Sequence, residues 1–442
     1  MVFIKRLVPL SIFYCFEGIM LGLILYSVPS NLIDKGVEIN RYNFSFVVLL
    51  PYLIRYIIAP LIDSVSWDKI GRRRSQLTVL YFGLGVLLYF SNFQSLDPST
   101  WFWNTFWIVC FLACIDLIIA AWLVESLDKQ DRGYGALAQF LGILIGGFIG
   151  AYIFKMFNSL EFCNTYIYAI PQEIPYITLQ IAFKDLSYIS VGLAVACTII
   201  IHNEKTTNQD IIEAYKSALG AFSNRHLIVL FLFFCFFRIG QMPIDLAHIH
   251  LKRGQFTEGQ IQFLEILTFP IACILPYYMA KMIKTRVLEI RLIIVFSIYE
   301  IAISGVFIIT LFASEENFPF PYRDTLLKIS LISVWLLNLI NITLAQSFIY
   351  KSTQSSIAAT FIALLTTGIN LQFIFEGLVE YLLANYNYYL IWICGVGIYA
   401  LFFFHLASRA TMIDQLNCQE FCLEIDIKKE KLLINTELAT LS

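Results

Sequence analysis

Five charged side chains interrupt the long apolar stretches of this chain: Glu17, Arg55, Asp116, Arg238 and Glu300. A charge in the middle of an apolar segment is costly unless it faces a polar cavity or an opposite charge, so such residues are expected to be functional. Arginine presents a planar fork of N–H donors that binds two oxygens of a carboxylate or phosphate at once. A carboxyl group in an apolar cleft takes up a proton more readily than one in water, and a nearby arginine opposes this.

This chemistry predicts that Arg55 and Arg238 bind an anionic substrate and that Glu17 and Asp116 carry coupled protons. A structural alternative stays open, because Arg55 can instead form a permanent ion pair with Glu17 or Asp116.

The composition shows what kind of structure must hold these charges. The chain has 442 residues, of which 59% are hydrophobic and only 14% charged. A soluble protein carries about a quarter charged residues. Embedding in a lipid bilayer explains the difference, because the lipid-facing surface is then apolar like the core. The net charge of −2 gives no sign of a nucleic-acid partner.

Twelve segments are long and apolar enough to cross a bilayer as helices, which takes about 20 residues each. They are 7–30, 43–63, 75–93, 101–124, 134–157, 184–201, 226–249, 259–280, 287–312, 326–349, 355–380 and 388–408. The sixth is placed at 184–201 rather than 162–182, because Pro171 and Pro175 break the earlier stretch. The sequence therefore predicts an all-α integral membrane protein.

The polar segments between the spans predict orientation and domains. Lys and Arg are concentrated in alternate loops, which places both termini in the cytoplasm. The longest polar segment divides the spans six and six. We therefore expect an N-terminal six-helix bundle at 1–201, a cytoplasmic linker at 202–225, a C-terminal six-helix bundle at 226–409 and a cytoplasmic tail at 410–442. Two similar six-span halves are typical of alternating-access transporters.

The loop after the second span reads APLIDSVSWDKIGRRRS (59–75). An acid at a helix end can exchange partners as two bundles separate, and a glycine permits a tight turn. With six plus six spans, this pattern resembles the signature of the major facilitator superfamily. The resemblance implies that Asp63, Gly71, Arg72 and Arg73 form a latch on the cytoplasmic side. The alternative is that the arginines only set the topology.

The same loop is similar to one branch of that superfamily, the AmpG-like muropeptide permeases and RhtX/FptX-like siderophore permeases, with acetyl-coenzyme A transporters as distant relatives. The similarity continues in DLIIAAWLVESLDKQDRGYGALAQFLGILIGG (116–147), RIG (238–240), LKRG (251–254) and STQ (352–354). At three positions where muropeptide permeases carry charged residues, this chain has Ala120, Leu144 and Gln241.

The branch resemblance implies a proton-coupled importer of a bulky polar or anionic solute in the bacterial cytoplasmic membrane. The three altered positions and the two arginines favour a siderophore or its ferric complex, with Arg55, Arg238 and Gln241 in the substrate site. A muropeptide or sugar-peptide permease and another organic-anion transporter remain alternatives.

Other functional classes find less support in the sequence. A membrane-embedded acyltransferase would need a catalytic histidine or an activated nucleophile, and His405 has no acidic partner at HxxxxD spacing. A non-transporting receptor would carry a large cytoplasmic domain. The ten cysteines lack zinc-site spacing. We therefore expect a monomeric non-enzyme without metal or cofactor, whose partners are a small-molecule substrate, protons and the lipid bilayer.

Overall fold

The computed structural model describes residues 2–34, 47–65, 71–94, 97–201, 258–282, 286–315, 322–353 and 357–371, with a few positions within 211–235 and 397–401. These residues form helices and connecting turns, and no strand occurs among them. The predicted seventh and twelfth spans, the linker and the tail lie almost entirely outside the described residues. Twelve spans, two bundles and cytoplasmic termini therefore stay predictions.

The helices of the first half follow the predicted spans closely. They are α1 (Val2–Gly22), which continues through a π-helical turn (Leu23–Ser27) into α2 (Val28–Asp34), then α3 (Leu50–Ser64), α4 (Arg72–Phe90), α5 (Pro98–Ser126), α6 (Arg132–Phe148), a second π-helical turn (Ile149–Ile153), α7 (Phe154–Phe157), α8 (Leu160–Tyr166) and α9 (Leu179–Ile200). The placement of the sixth span is confirmed by α9, since 162–182 holds only part of the short α8 and a loop before α9 begins.

The second half contributes four helices to the described residues: α10 (Glu258–Met282), α11 (Arg286–Glu315), α12 (Arg323–Ser352) and α13 (Ala358–Asn370). Across both halves, six described segments are long and apolar enough to cross a membrane. They are Leu7–Ile33, Pro98–Ser126, Arg132–Phe157, Leu179–Ile200, Arg291–Thr310 and Asp324–Ser352.

Local sequence signals explain where the longest helix of the first half begins. The carboxylate of Asp97 accepts hydrogen bonds from the backbone N–H groups of Ser99 and Thr100, each at 3.1 Å. Pro98 occupies the first helical position, where its missing N–H would be unpaired in any case. An acidic cap followed by proline is a strong start signal, so α5 begins at this point.

The two halves meet along a few helix pairs. Within the first half, α1 packs along α6, and α4 packs along α9. Within the second, α11 packs along α12. Between the halves, α3 contacts α13 and α6 contacts both α10 and α12. The rings of Phe148 on α6 and Phe269 on α10 stack with centroids 4.3 Å apart.

Glycines bring the backbones of α1 and α6 into direct contact. A Cβ atom added to Gly146 would lie 2.0 Å from the carbonyl oxygen of Cys15, and one on Gly18 would lie 2.5 Å from that of Ile143. Real Cβ atoms do not approach backbone this closely, so a larger side chain would force the helices apart. Small residues at such contacts are a usual means of packing membrane helices. We infer that α1 and α6 behave as one rigid pair.

This close approach predicts the effect of a single methyl group. Gly146→Ala should lower the stability of the folded protein by about 1–3 kcal/mol, the usual cost of overpacking. Gly192→Ala on α9 is the matched control, because a Cβ there has no atom within 4 Å. The control should be neutral or slightly stabilising, since alanine favours a helix over glycine. Thermal unfolding of the purified variants measures both effects, and equal melting temperatures would contradict the close α1–α6 contact.

Candidate functional site

The four residues that we call the charged centre are Glu17, Tyr52, Arg55 and Asp116. They come from α1, α3 and α5, and all are buried, with Glu17 2% and Asp116 6% exposed. The structure thus brings together three of the five residues that the sequence predicts to bind substrate or carry protons. Arg238 and Gln241, the remaining predicted substrate residues, lie outside the described residues.

The polar groups of the charged centre are arranged around one ion pair. Nη1 of Arg55 is bonded to Oδ2 of Asp116. The hydroxyl of Tyr52 donates to Oε1 of Glu17 at 2.7 Å. The guanidinium carbon of Arg55 lies 5.4 Å from the centroid of the Tyr52 ring, within the range of a cation–π contact. Of the two ion pairs left open by the sequence, the structure contains the one between Arg55 and Asp116.

Two polar atoms of the charged centre have no hydrogen-bond partner among the described residues. They are Oε2 of Glu17 and Nε of Arg55. Buried polar groups are nearly always paired, so an unpaired acceptor and an unpaired donor in one cluster indicate places for further groups. A proton on Glu17 or an oxygen of a bound solute near Arg55 fits these two positions chemically.

A chain of hydrogen bonds connects the charged centre to the second half. Nε2 of Gln139 on α6 donates to Oδ1 of Asp116 at 3.2 Å. The hydroxyl of Tyr350 on α12 donates to Oε1 of Gln139 at 2.5 Å, and Nε2 of Gln346 donates to that hydroxyl at 2.9 Å. Two hydrogen bonds therefore connect the Asp116 carboxyl group to Tyr350 in the other half.

A second polar group, which we call the latch cluster, comprises Asp63, Arg72, Arg73 and Glu125. Nη2 of Arg73 lies 2.8 Å from Oδ1 of Asp63 and 2.6 Å from Oε1 of Glu125. Nη2 of Arg72 lies 2.7 Å from the same Glu125 oxygen. Asp63 and Arg73 are fully buried. The two arginines therefore make specific ion pairs, which argues against a role in topology alone.

The latch cluster also holds the second half. Oδ2 of Asp63 accepts hydrogen bonds from the backbone N–H and the hydroxyl of Thr360, at 2.8 and 2.9 Å, and Oδ1 accepts from the N–H of Ala359 at 3.2 Å. The Asp63 carboxylate thus caps the first turn of α13, where unpaired N–H groups and the helix dipole favour a negative charge. We call this end of the molecule the latch end.

Gly71 gives the latch cluster its geometry. Its φ of 99° lies in the region that favours glycine, and α4 begins at the next residue. The sharp turn directs Arg72 and Arg73 back toward Asp63. A residue with a Cβ atom would be strained in this conformation.

Arg132, at the first residue of α6, forms another contact between the halves at the latch end. Its guanidinium donates to the carbonyls of Tyr350 and Thr353 at 3.0 and 2.6 Å, and to that of Val124 at 2.8 Å. One side chain thus binds the C-terminal ends of α5 and α12 together. Carbonyls at a helix C-terminus favour a cation for the same reason that N–H groups favour an anion.

The second half buries two further carboxylates. Glu289 forms an ion pair with Lys351 at 2.7 Å and accepts a hydrogen bond from Ser347. Glu300, expected near mid-span, is 2% exposed and accepts a hydrogen bond from Nδ2 of Asn341 at 2.9 Å. Neither lies in the charged centre.

Sequence reasoning missed the residues that connect the clusters. Tyr52, Gln139 and Tyr350 are uncharged, and in a chain with 24 tyrosines nothing marks these two as special. Glu125 and Arg132 lie in the stretch 116–147 that carries the family resemblance, but the resemblance gives them no role. Their positions could have identified them, because both are charged residues at helix ends on either side of a short loop. Thr360 gives no signal until α13 is placed against Asp63.

Comparison with known proteins gives one family model that covers the first half of the chain and several relatives. The family described as "Acetyl-coenzyme A transporter 1" matches residues 6–218. An uncharacterised protein of Schizosaccharomyces pombe is 24% identical over 297 residues, covering 64% of this chain and 56% of that protein. The putative transporter AmpG 1 of Rickettsia conorii is 25% identical over 238 residues, covering 50% of this chain and 54% of that protein. The aligned regions thus span about half the length of these relatives.

Among solved structures, the human organic anion transporter MFSD10 superposes with a TM-score of 0.62 at 12% identity, covering 91% of this chain and 99% of that one. This likeness shows a major facilitator fold. The chain has that fold and resembles the AmpG-like group, as its motifs predict.

The latch cluster generates a prediction about α13. Asp63→Asn should speed amide hydrogen exchange in the first turn of α13 roughly ten- to a hundredfold, because a charged hydrogen bond of about 1.5–3 kcal/mol is lost. Glu125 still pairs with Arg73, so the variant should remain folded. Asp128→Asn, in the exposed loop after α5, is the matched control. Equal exchange in the two variants would show that Asp63 does not hold α13.

Proposed function

We propose that this chain is a secondary transporter that carries an organic anion across a membrane and couples its movement to protons. The observation that carries the proposal is the charged centre, a buried group of ionisable residues linked to the contact between two helical halves. Such groups mark substrate and ion pathways in membrane proteins. The transporter names of the relatives and the shared fold support the same class.

Charge balance supports a proton on Glu17. Among the described residues, the charged centre contains two carboxyl groups and one guanidinium. With both carboxylates ionised, the buried group would hold one uncompensated negative charge, which is costly in an apolar environment. Asp116 is bonded to Arg55, whereas Oε2 of Glu17 is unpaired among these residues. We therefore assign the coupled proton to Glu17 and the role of counter-ion to Asp116.

Three features support an anionic cargo. Arg55 retains an unpaired Nε, so it can bind a further oxygen without first breaking its bond to Asp116. A second arginine, Arg238, is predicted at mid-span in the other half, with Gln241 one turn away. The family that matches residues 6–218 is described by acetyl-coenzyme A, and the superposed human protein by organic anions. Both descriptions name molecules that an arginine would bind.

The contacts between the halves at the latch end support alternating access. Asp63 and Arg132 hold α13 and α12 at the latch end. Opening this end would break these bonds, and an anion arriving at Arg55 from the opposite end would change the charge balance of the centre. The equilibrium between two packings of the halves is then sensitive to both the solute and the proton.

The sequence also predicts a particular cargo and a particular membrane, and the similar proteins support these predictions to different degrees. None of the relatives reported above is named for a siderophore, so the proposal is for an organic anion in general. A muropeptide or sugar-peptide cargo is the second candidate, and it relies on the AmpG-like relative. The relatives belong to yeast, a bacterium and human, so they do not favour the bacterial cytoplasmic membrane over another cellular membrane.

The proton assignment predicts the behaviour of Glu17→Gln. In proteoliposomes, this variant should lose accumulation of labelled anion driven by a pH gradient, while exchange of anion across the membrane without a gradient should persist. Acetyl-coenzyme A and a panel of small carboxylates and phosphates are the probes. Glu161→Gln, which removes an exposed acid on α8, is the control and should accumulate like wild type. Gradient-driven accumulation by Glu17→Gln would remove this residue from coupling.

The anion assignment predicts the behaviour of Arg55→Lys. Lysine keeps the charge but cannot bind Asp116 and a solute oxygen with one planar group. Affinity for the transported anion should fall about ten- to a hundredfold, the loss of one buried charge-assisted contact. Arg291→Lys, at an exposed position of α11, is the control. Unchanged affinity together with a lower melting temperature would show that Arg55 is structural.

A further inference from the structure

We propose that Gln139 and Tyr350 form a switch that reports the charge of Asp116 to the contact between the two halves. Both are positioning residues, and the inference builds on the transport function proposed above. Gln139 lies on α6 in the first half, and Tyr350 lies on α12 in the second. Both are buried, and their hydrogen bond spans 211 positions in sequence.

The orientation of the Gln139 amide depends on Asp116. An ionised carboxylate can only accept hydrogen bonds, so Gln139 must direct its NH2 group to Asp116. Its carbonyl oxygen then faces Tyr350 and accepts that hydroxyl's proton. The Tyr350 hydroxyl, as donor, is left with its oxygen free to accept from Gln346. Every donor in this chain meets an acceptor while Asp116 is ionised.

Protonation of Asp116 on Oδ1 would reverse the direction of these hydrogen bonds. The carboxyl group would then donate, and the Gln139 amide would satisfy it only by turning its oxygen to Asp116. Its NH2 group would then face Tyr350, which already receives a hydrogen bond from the NH2 group of Gln346. The proton of the Tyr350 hydroxyl would lose its acceptor on α6, and the hydroxyl of Tyr14 on α1, which also interacts with Tyr350, would remain as an alternative acceptor. The hydrogen bond that Tyr350 donates to Gln139 would be lost, so the contact between α6 and α12 would weaken.

Asp116 is surrounded by groups that can change its state. Arg55 is its ion-pair partner, and Glu17 on α1 interacts with it electrostatically. The hydroxyls near it are Tyr14 on α1, Tyr52 on α3, Tyr81 on α4 and Tyr350 on α12. A solute anion that shares Arg55 would weaken the ion pair between Arg55 and Asp116, and with it the interaction that compensates the charge of Asp116.

Tyr350 makes a second contact with α6, and this contact does not depend on the charge of Asp116. Arg132 lies seven residues before Gln139 on α6, which is about two helical turns and the same face. Its guanidinium donates to the backbone carbonyl of Tyr350 at 3.0 Å. Arg132 is always charged, so this bond does not respond to Asp116. Tyr350 is thus held once by a constant bond and once by a bond that depends on the charged centre.

The test is a double-mutant cycle read by hydrogen exchange in the reconstituted full chain, without any solute. Asp116→Asn reproduces a protonated carboxyl group, because its amide can donate to Gln139. We expect it to increase exchange in 347–353 and 358–364 about fivefold or more, a typical coupling between sites. In a Tyr350→Phe background, where the hydroxyl is already absent, Asp116→Asn should add little to exchange in these segments.

Two comparisons distinguish the effect of the switch from a loss of stability of the whole protein. Exchange in 179–200 on α9 reports overall destabilisation and is used as the reference for every variant. Tyr299→Phe, which removes an exposed hydroxyl on α11, is the control background, in which Asp116→Asn should retain its full effect. Equal effects of Asp116→Asn in the Tyr350→Phe and Tyr299→Phe backgrounds would overturn the proposal.

A second measurement covers the case in which Asp116→Asn does not fold. Acidifying the buffer, with correction for the chemical exchange rate, should increase exchange at 347–353 in wild type and much less in Tyr350→Phe. An equal response in both proteins would also overturn the switch. Because no solute is present, absence of transport would contradict the proposed function without altering either result.

Discussion

The buried ion pair between Arg55 and Asp116 is the interaction on which the other polar contacts of the charged centre depend. Neither charge is stable alone among apolar helices, so α3 and α5 must hold them together. The pair leaves an oxygen of Asp116 to be satisfied by Gln139 and places the guanidinium of Arg55 over Tyr52. Tyr52 in turn binds Glu17 on α1. A single charge requirement therefore connects four helices of the first half and, through Gln139, one helix of the second.

The close packing of α1 against α6 makes this hydrogen-bond network rigid. The glycine-lined contact holds α1 and α6 together, so Glu17, Gln139 and Arg132 lie on one unit. That unit contacts α12 at Tyr350, while α3 and the latch cluster hold α13 through Asp63. Among the described residues, the polar contacts between the halves are few and directional. Interfaces of this kind have discrete alternative packings, which suits a transporter that must open at alternate ends.

The sequence predicted the helices and the charged residues better than their partners. Apolar length located the described spans, because the thickness of a bilayer imposes it directly. Charge inside an apolar segment identified Glu17, Arg55 and Asp116 for the same reason. Tyr52, Gln139 and Tyr350 were missed, since an uncharged hydrogen-bonding residue acquires its role only from the helix packed beside it. The role of Thr360 likewise depends on where α13 begins, which no pattern near Asp63 reveals.

The central claim is that, at neutral pH and without bound solute, the charged centre holds one exchangeable proton, on Glu17, while Asp116 is the ionised partner of Arg55. Infrared difference spectroscopy of the reconstituted protein tests it most directly, because a protonated carboxyl group absorbs apart from an ionised one. Comparison of neutral and alkaline buffer should show the band of a buried protonated carboxyl group in wild type. The account predicts that Glu17→Gln reduces this band by the contribution of one carboxyl group and that Glu161→Gln leaves it unchanged. A band of equal size in wild type and Glu17→Gln, or its absence from wild type, would contradict the account.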